Sequence, residues 1–331
     1  MKAVVRERYG APDGVRIADV AMPVPEANEV LLRVIACSVN PYDYHVALHG
    51  VPYVARLEGG ITRPRTHRVG FDFAGIVEAG GTEVTRFRLG DEVYGFAAGA
   101  FAEYVCAGDT IARIPPGISF EEAAAVPTAG ITALQALRDK GRLRANQKVL
   151  INGAAGGVGT FAVQIAKAFG AEVTAVCSTR NVDLVRSLGA DHVIDYTRAD
   201  FTLGPQRHYD LMIDNIGNRR WSEYKRLLTD DATCVLVGGP KTNRWLGPMS
   251  YWLKTRIASL RATQKVEVLI ARMDPQDLQT LAEMIESRAL HAVVERVVAL
   301  DEVADALAAV GHGHVQGKIV MAVSRGRESQ P

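Results

Sequence analysis

The sequence predicts a two-part α/β chain: a mainly-β first part, then a doubly wound parallel sheet. Three observations carry this. Over roughly the first 120 residues, short apolar runs alternate with glycine turns. At 148–170 a strand-like run feeds a glycine-rich turn and then a helical pattern. Beyond it strands alternate with helices, which implies a parallel sheet covered on both faces.

In chain order, Val30–Ala36, Gly75–Ala79 and Glu92–Phe96 read as strands. Gly80-Gly81 and Leu89-Gly90-Asp91 are the turns between them. Pro115-Pro116-Gly117 stops the pattern, and Ser119 with Glu122 forms a capping box that opens a helix. Lys148–Asn152 is a short buried strand. Val158, Phe161, Ala162, Ile165 and Phe169 recur at helical spacing until Gly170. Glu172–Cys177 is the next strand, and Val182–Leu188 a helix stopped by Gly189. Asp191–Asp195, Leu211–Ile213 and Thr233–Val237 are further strands. Asp274–Arg288 is a late helix and Gly317–Val323 a final strand. These elements divide the chain into 1–123, a cofactor part at 124–268, and 269–331, which completes the cofactor part and returns to the first part.

Composition narrows the function. The 331 residues carry 38 basic and 37 acidic side chains, a net charge of +1, so no global field draws the chain to nucleic acid or an acidic membrane. The 4 cysteines form no CxxC pair, which excludes a four-cysteine zinc loop. A disulfide scaffold is not expected at this length. The first eight residues place Lys2, Arg6, Glu7 and Arg8 where a signal peptide needs an apolar run. Gln164, Lys167 and Glu172 interrupt the most apolar stretch, Val149–Val176, which is no bilayer span. A soluble, cytoplasmic protein is expected.

The segment Asn152-Gly153-Ala154-Ala155-Gly156-Gly157-Val158-Gly159 carries the most chemistry. Gly156, Gly157 and Val158 are expected at a pyrophosphate, close to the free amides of a helix N-terminus. Gly159 lets helix and strand pack tightly. Ala154 replaces the first glycine of GxGxxG; the order strand, turn, helix, strand supports the Rossmann reading nonetheless. The second strand ends in Ser178-Thr179-Arg180, without the acid that binds the ribose hydroxyl of NAD. Two hydroxyls and a guanidinium suit a 2′-phosphate, so NADPH is the expected cofactor. The alternative is that Arg180 is a solvated loop charge.

Taken in order, a set of motifs makes the whole chain resemble one family. They are Ser38-Val39-Asn40-Pro41-Tyr42-Asp43, Gly70-Phe71-Asp72-Phe73-Ala74-Gly75-Ile76-Val77, and Gly90-Asp91-Glu92-Val93-Tyr94-Gly95. Gly99–Val105, Ala124-Ala125-Val126-Pro127 with Thr132-Ala133, and Gly153–Gly159 follow. Leu188–Asp191, Val193–Tyr196, Asp214–Gly217 and Gly317-Lys318 complete the set. The chain resembles the zinc-independent branch of the medium-chain dehydrogenase/reductase superfamily, near the quinone oxidoreductases and reticulon-interacting reductases. The resemblance implies a GroES-like mainly-β catalytic domain beside a Rossmann domain. It places Asn40 and Phe71 where the alcohol-dehydrogenase branch has its zinc-binding cysteine and histidine. Neither side chain suits zinc, so no metal is expected. Cys37 reads as a small buried hydrophobe, and His45, His49 and His67 show no metal spacing beyond the loose His45/His49 pair.

Without such a Lewis acid, reduction of an activated acceptor is the expected chemistry: hydride to a quinone or an α,β-unsaturated carbonyl, with hydrogen bonds stabilising the oxygen charge. Asn40, Tyr44, His45 and Tyr53 are the catalytic candidates. The resemblance puts Asn40 beside the nicotinamide, and any of the other three could give the proton or merely line the cleft. Solvent is a further proton source. His45 stands where related reductases often have tyrosine. The resemblance also implies cofactor contacts at Thr132, Tyr196, Asn215, Gly217, Gly238, Gly239 and Lys318. Trp245 and Trp252, in the mixed aromatic and basic stretch Lys241–Lys265, are expected over the cleft, favouring a bulky, flat, apolar acceptor. The favoured form is an amphipathic helix covering the cleft; the same stretch could instead be a dimer contact or bind single-stranded nucleic acid, and a homodimer is expected. The alternatives are a carbonyl or alcohol oxidoreductase of the same fold, or an NADPH-binding protein without turnover, like those relatives that serve as lens crystallins or bind RNA.

Overall fold

The computed structural model describes residues 1–203, 208–240 and 243–323. It forms two compact units: Met1–Thr128 with the chain from Met273 onward, and Ala129–Arg272.

Among the described residues the strands, in chain order, begin with β1 (Lys2–Val5), β2 (Arg16–Asp19), β3 (Val30–Ser38) and β4 (Asp72–Gly80). β5 (Glu92–Phe96), β6 (Tyr104–Ala107) and β7 (Ile111–Arg113) complete the first stretch. The second unit holds β8 (Lys148–Asn152), β9 (Glu172–Cys177), β10 (His192–Asp195), β11 (Tyr209–Asp214), β12 (Leu228–Leu236) and β13 (Lys265–Val268). β14 (Val294–Ala299) and β15 (Lys318–Ala322) belong to the returning chain.

The first unit is built on a sheet ordered β14-β15-β3-β4-β5-β7, with β6 also paired to β3. β15 runs antiparallel to β3, so Met321 faces Cys37 and Val320 faces Ser38. Alternation along β3 sends Val30, Leu32 and Val34 into a core shared with Phe73, Phe101, Ile111 and Leu307. Burial of each of the larger side chains contributes about 1.5–3 kcal/mol. This unit is the mainly-β, GroES-like part that the sequence predicts. The capping box is formed: Ser119 Oγ accepts from Glu122 N–H, and Glu122 accepts from Ser119 N–H. Such a cap contributes about 1 kcal/mol.

The second unit is an all-parallel sheet ordered β10-β9-β8-β11-β12-β13. β8 and β11 are neighbours, and the strand order runs outward from them in both directions. This is a topological switch point, the place where Rossmann sheets bind ligands beyond the strand C-termini. The helix Gly157–Ala168 buries Phe161, Ala162, Ile165 and Ala166.

The structure adds elements that periodicity did not reveal. β13 and β14, the helix Pro248–Ser259 and the helix Val303–His312 are among them. β12 begins five residues before Thr233, through the polar segment Thr229-Asp230-Asp231. Asp43–Leu48 is a wide π-type turn in which His49 N–H reaches Tyr44 O, five residues back. No helix among the described residues is long and apolar enough to cross a membrane.

Candidate active site

In the second unit the glycine turn leaves β8 at Asn152 and enters its helix at Gly157. A Cβ at Gly159 would lie 2.2 Å from Gly153 O and 2.6 Å from Ala154 C, so only glycine lets helix and turn meet this closely. A Cβ at Gly156 would find its nearest neighbour 3.8 Å away, so that face of the turn is open. No side chain caps the helix N-terminus, leaving its amides and partial positive charge to a ligand. Across the switch point, Asn215 follows β11. Its Nδ2 and Oδ1 are both buried without a hydrogen-bond partner. Buried amides are ordinarily paired, and an orphaned one at a strand C-terminus fits a ligand that offers both a donor and an acceptor. Uncapped amides, an open glycine and an orphaned carboxamide together match the ends of a nicotinamide dinucleotide.

The loop that carries Asn215 is fixed from below. Asp214 is fully buried and accepts from Asn152 Nδ2 at 2.9 Å, Tyr224 OH at 3.0 Å, Tyr251 OH at 3.2 Å and Gly217 N–H at 2.9 Å. Burial first, and then Asp214, push the Tyr224 hydroxyl pKa well up, so it stays a donor. A Cβ at Gly238 would sit 1.9 Å from Asn215 O, so the loops after β11 and β12 touch backbone to backbone. Trp252 donates to Gly238 O at 2.8 Å and thereby ties the helix Pro248–Ser259 to the same strand end. Trp245 is 72% exposed. Lys241 lies outside the described residues.

After β9, Ser178 is half-buried, and Thr179 and Arg180 are exposed. Thr179 donates to Asp195 at 2.5 Å, and Thr197 and Arg198 also engage that carboxylate. Arg180 has no carboxylate within 4 Å among the described residues, so its fork is available. Tyr196 is 48% exposed beside this strand end, its N–H bonded to Cys177 O. Thr132 is buried on the helix Pro127–Gln135.

In the first unit a separate polar cluster surrounds Asn40. Lys318 is 4% exposed, and its ammonium donates to Asn40 Oδ1 and lies 3.6 Å from Asp72 Oδ2. Asn40 Nδ2 donates to the same Asp72 oxygen at 2.9 Å. Thr128 donates to Asp72 through its N–H at 3.2 Å and through its hydroxyl. Asn40 N–H donates to Asp43 Oδ2 at 2.7 Å, while Asp43 Oδ1 and Ser38 Oγ are buried without partners. Burial raises the Asp43 pKa to about 7; Asp72 adds to the rise, and the Asn40 N–H and Lys318 oppose it. Burial likewise lowers the Lys318 pKa against the pull of both carboxylates. Next to this cluster the rings of Tyr42, Phe71 and Phe96 form a column. Tyr42 meets Phe71 edge-on at 5.0 Å, and Phe71 stacks on Phe96 at 4.9 Å.

Known proteins are similar to this chain over nearly its full length. Residues 26–133 match the alcohol dehydrogenase GroES-like domain, and residues 188–321 match the zinc-binding dehydrogenase family. A chloroplastic quinone-oxidoreductase homolog from Spinacia oleracea is 31% identical over 97% of this chain and 98% of its own. The chain belongs to the medium-chain dehydrogenase/reductase superfamily. The mitochondrial NAD(P)H oxidoreductase RTN4IP1 of Mus musculus is 30% identical over 98% of this chain and 89% of its own. The solved quinone oxidoreductase of Coxiella burnetii superposes with a TM-score of 0.86 at 31% identity, covering 98% and 99% of the two chains.

Within this superfamily member the expected catalytic residues separate. Asn40 sits in the buried cluster, its carboxamide held at both ends. The Tyr44 ring packs on the helix Val303–His312, where a Cβ at Gly311 would strike it at 2.2 Å, and it meets the His45 and His49 rings. That placement packs the half-buried Tyr44 ring against the core of the first unit. Tyr53 is half-buried, with the Arg56 guanidinium 4.7 Å from its ring centroid. Lys318, expected at a phosphate, has its ammonium engaged by Asn40 and Asp72. Reading the sequence missed Asp43 and Asp72, which stand inside quoted motifs, and Asp214, which heads the Asp214–Gly217 motif. Acids within runs of apolar residues were the available signal.

Proposed function

We propose that the protein is an NADPH-dependent reductase that transfers hydride to carbon of a quinone or an α,β-unsaturated carbonyl. The single observation that carries the dinucleotide half is the orphaned Asn215 carboxamide after β11, at the same switch point as the uncapped helix amides after β8. Membership of the superfamily, with quinone oxidoreductases among the relatives, supports the reaction class. When bound, the nicotinamide supplies the hydride.

The chain's own residues do the rest. The amides at Gly157 and Val158, beside the open Gly156, hold the pyrophosphate. Arg180 pairs with the 2′-phosphate, and Ser178 and Thr179 complete that end. Asn215 orients the carboxamide end of the cofactor, and Asp214 keeps its loop in place. The Tyr42–Phe71–Phe96 column offers a flat, apolar surface to an aromatic acceptor. Asn40, clamped by Lys318 and Asp72, keeps one Nδ2 hydrogen for oxygen charge that develops on the acceptor. His45 and Tyr53 remain the candidate proton donors, beside solvent.

Steady-state oxidation of NADPH against a panel of quinones, enones and aldehydes, with reduction of NADP+ by alcohols measured beside it, tests the proposal. Turnover confined to quinones or enones supports it. Turnover only with alcohols or simple aldehydes, or tight NADPH binding with no turnover, overturns it.

A further inference from the structure

The near-neutral chain hides one local imbalance. From Lys241 to Val266 the sequence carries six basic residues and no acid. The helix Pro248–Ser259 lies within this stretch. Its inner face is anchored to the second unit. Thr255 is buried, Tyr251 OH donates to Asp214 at 3.2 Å, and Trp252 donates to Gly238 O at 2.8 Å. The rings of Tyr251 and Trp252 pack against the core there.

The outer face is unusual for a helix turned to water. Leu253, Ile257 and Leu260 recur at i, i+4 and i+7, which sets them in one stripe. They are 59%, 58% and 79% exposed. By helical spacing, Lys254 flanks the stripe on one side and Arg256 on the other, and Arg261 follows it. All three bases are exposed, and none makes an ion pair among the described residues. On the Lys254 side a cavity of about 590 Å³ lies between this helix and the helix Trp221–Leu227. Arg219 and Arg220 line it opposite Lys254, with Glu223 as the one acid among the described lining residues. Arg219 is 3.5 Å from Asp200, whereas Arg220 is exposed and has no carboxylate partner among the described residues.

Single exposed apolar residues are ordinary; a row of three beside unpaired bases needs a partner. A second copy of the chain fits poorly. A twofold contact sets the same patch against itself, and here that opposes base to base. Single-stranded nucleic acid is held by bases stacked on aromatic rings, but the stripe is aliphatic. An anionic bilayer answers both features, since aliphatic side chains enter the acyl boundary while bases meet the headgroups.

We infer that the helix Pro248–Ser259 docks the protein on an anionic phospholipid surface. Leu253, Ile257 and Leu260 enter the bilayer interface, and the cavity between Arg220 and Lys254 receives headgroup phosphates. Docking does not depend on the reductase reading. Its use, the capture of an apolar acceptor dissolved in the membrane, rests on that reading.

Cosedimentation of the full chain with vesicles tests the inference. Vesicles of phosphatidylglycerol and phosphatidylcholine in equal parts should bind at least tenfold more tightly than pure phosphatidylcholine. Added salt should weaken the binding by screening the headgroups. Lys254→Ala should weaken it about fivefold, the share of one base near an anionic surface. Ile257→Ser should weaken it about fivefold with no change of charge. Leu253→Ser serves if Ile257→Ser does not fold. Trp245, 72% exposed at the start of the stretch, should shift its fluorescence to the blue on binding, and Trp245→Phe should remove the shift. No binding to the mixed vesicles, equal binding to pure phosphatidylcholine, or full affinity in the Ile257→Ser variant would each overturn the inference. So would displacement of the vesicles by oligothymidylate, which would make the face a nucleic-acid site. So would a solution dimer that Ile257→Ser splits in ultracentrifugation, which would make it a contact between copies. Because no turnover is measured, inactivity on the acceptor panel cannot be mistaken for failure here.

Discussion

At the residue scale, charge placement decides what each polar side chain can do. Arg180 is exposed and without a carboxylate partner among the described residues, whereas Lys318 is buried and fully engaged. Arg180→Ala should raise the KM for NADPH at least tenfold while leaving that for NADH nearly unchanged, since a charge-assisted hydrogen bond contributes about 1.5–3 kcal/mol. Equal effects on the two cofactors would refute the 2′-phosphate role. Lys318→Met should lower stability by about 3–5 kcal/mol in chemical denaturation, because it strands Asp72 in the core. A change within error would mean that water already reaches the pair. Asp43 gives a pH signature. Its pKa rises on folding to about 7, so the folded state holds the proton more tightly than the unfolded one. Its contribution is therefore most favourable at low pH and is lost as pH rises towards and through about 7. Asp43→Asn should accordingly gain stability relative to wild type at pH 8 and not at pH 4. An equal difference at both would contradict the shift. Much of this scale was hidden in the sequence. Lys318 and Asn40 were both singled out, but 278 residues separate them, and only the β15–β3 pairing reveals that they touch.

At the element scale, the strands with continuous apolar runs were legible: β8 and β9 match their sequence boundaries residue for residue. So was the capping box, because its residues are local. The helix Pro248–Ser259 was legible only as a helical stretch without bounds, since Lys254 and Arg256 break up its apolar face and only Thr255 is buried. β14 was missed for a similar reason, with Glu295 and Arg296 inside it. The glycine turn is the element on which the cofactor depends. Gly159→Val should cost at least 1–3 kcal/mol through overpacking against Gly153 and weaken NADPH binding. Gly157→Val should abolish binding by blocking backbone approach to the pyrophosphate. Unchanged affinity in both variants, measured by fluorescence titration, would contradict this placement of the dinucleotide.

At the scale of the whole molecule, the interrupted first unit is what the sequence could only suggest. The late strand β15 completes a sheet begun by β3, and in doing so delivers Lys318 to Asn40 and Asp72. The same sheet fixes the fate of the two positions that resemblance aligned with zinc ligands. Asn40 is clamped at both ends of its carboxamide, and Phe71 stacks between Tyr42 and Phe96. Activity should therefore survive prolonged chelation undiminished, and loss restored by added zinc would overturn the mechanism. The most direct measurement of the central claim is kcat/KM for NADPH and for NADH with one 1,4-quinone and one enone, on chelated protein. The expected result is turnover of at least one acceptor, with NADPH preferred at least tenfold. Turnover of neither acceptor, or an equal or greater preference for NADH, would contradict it.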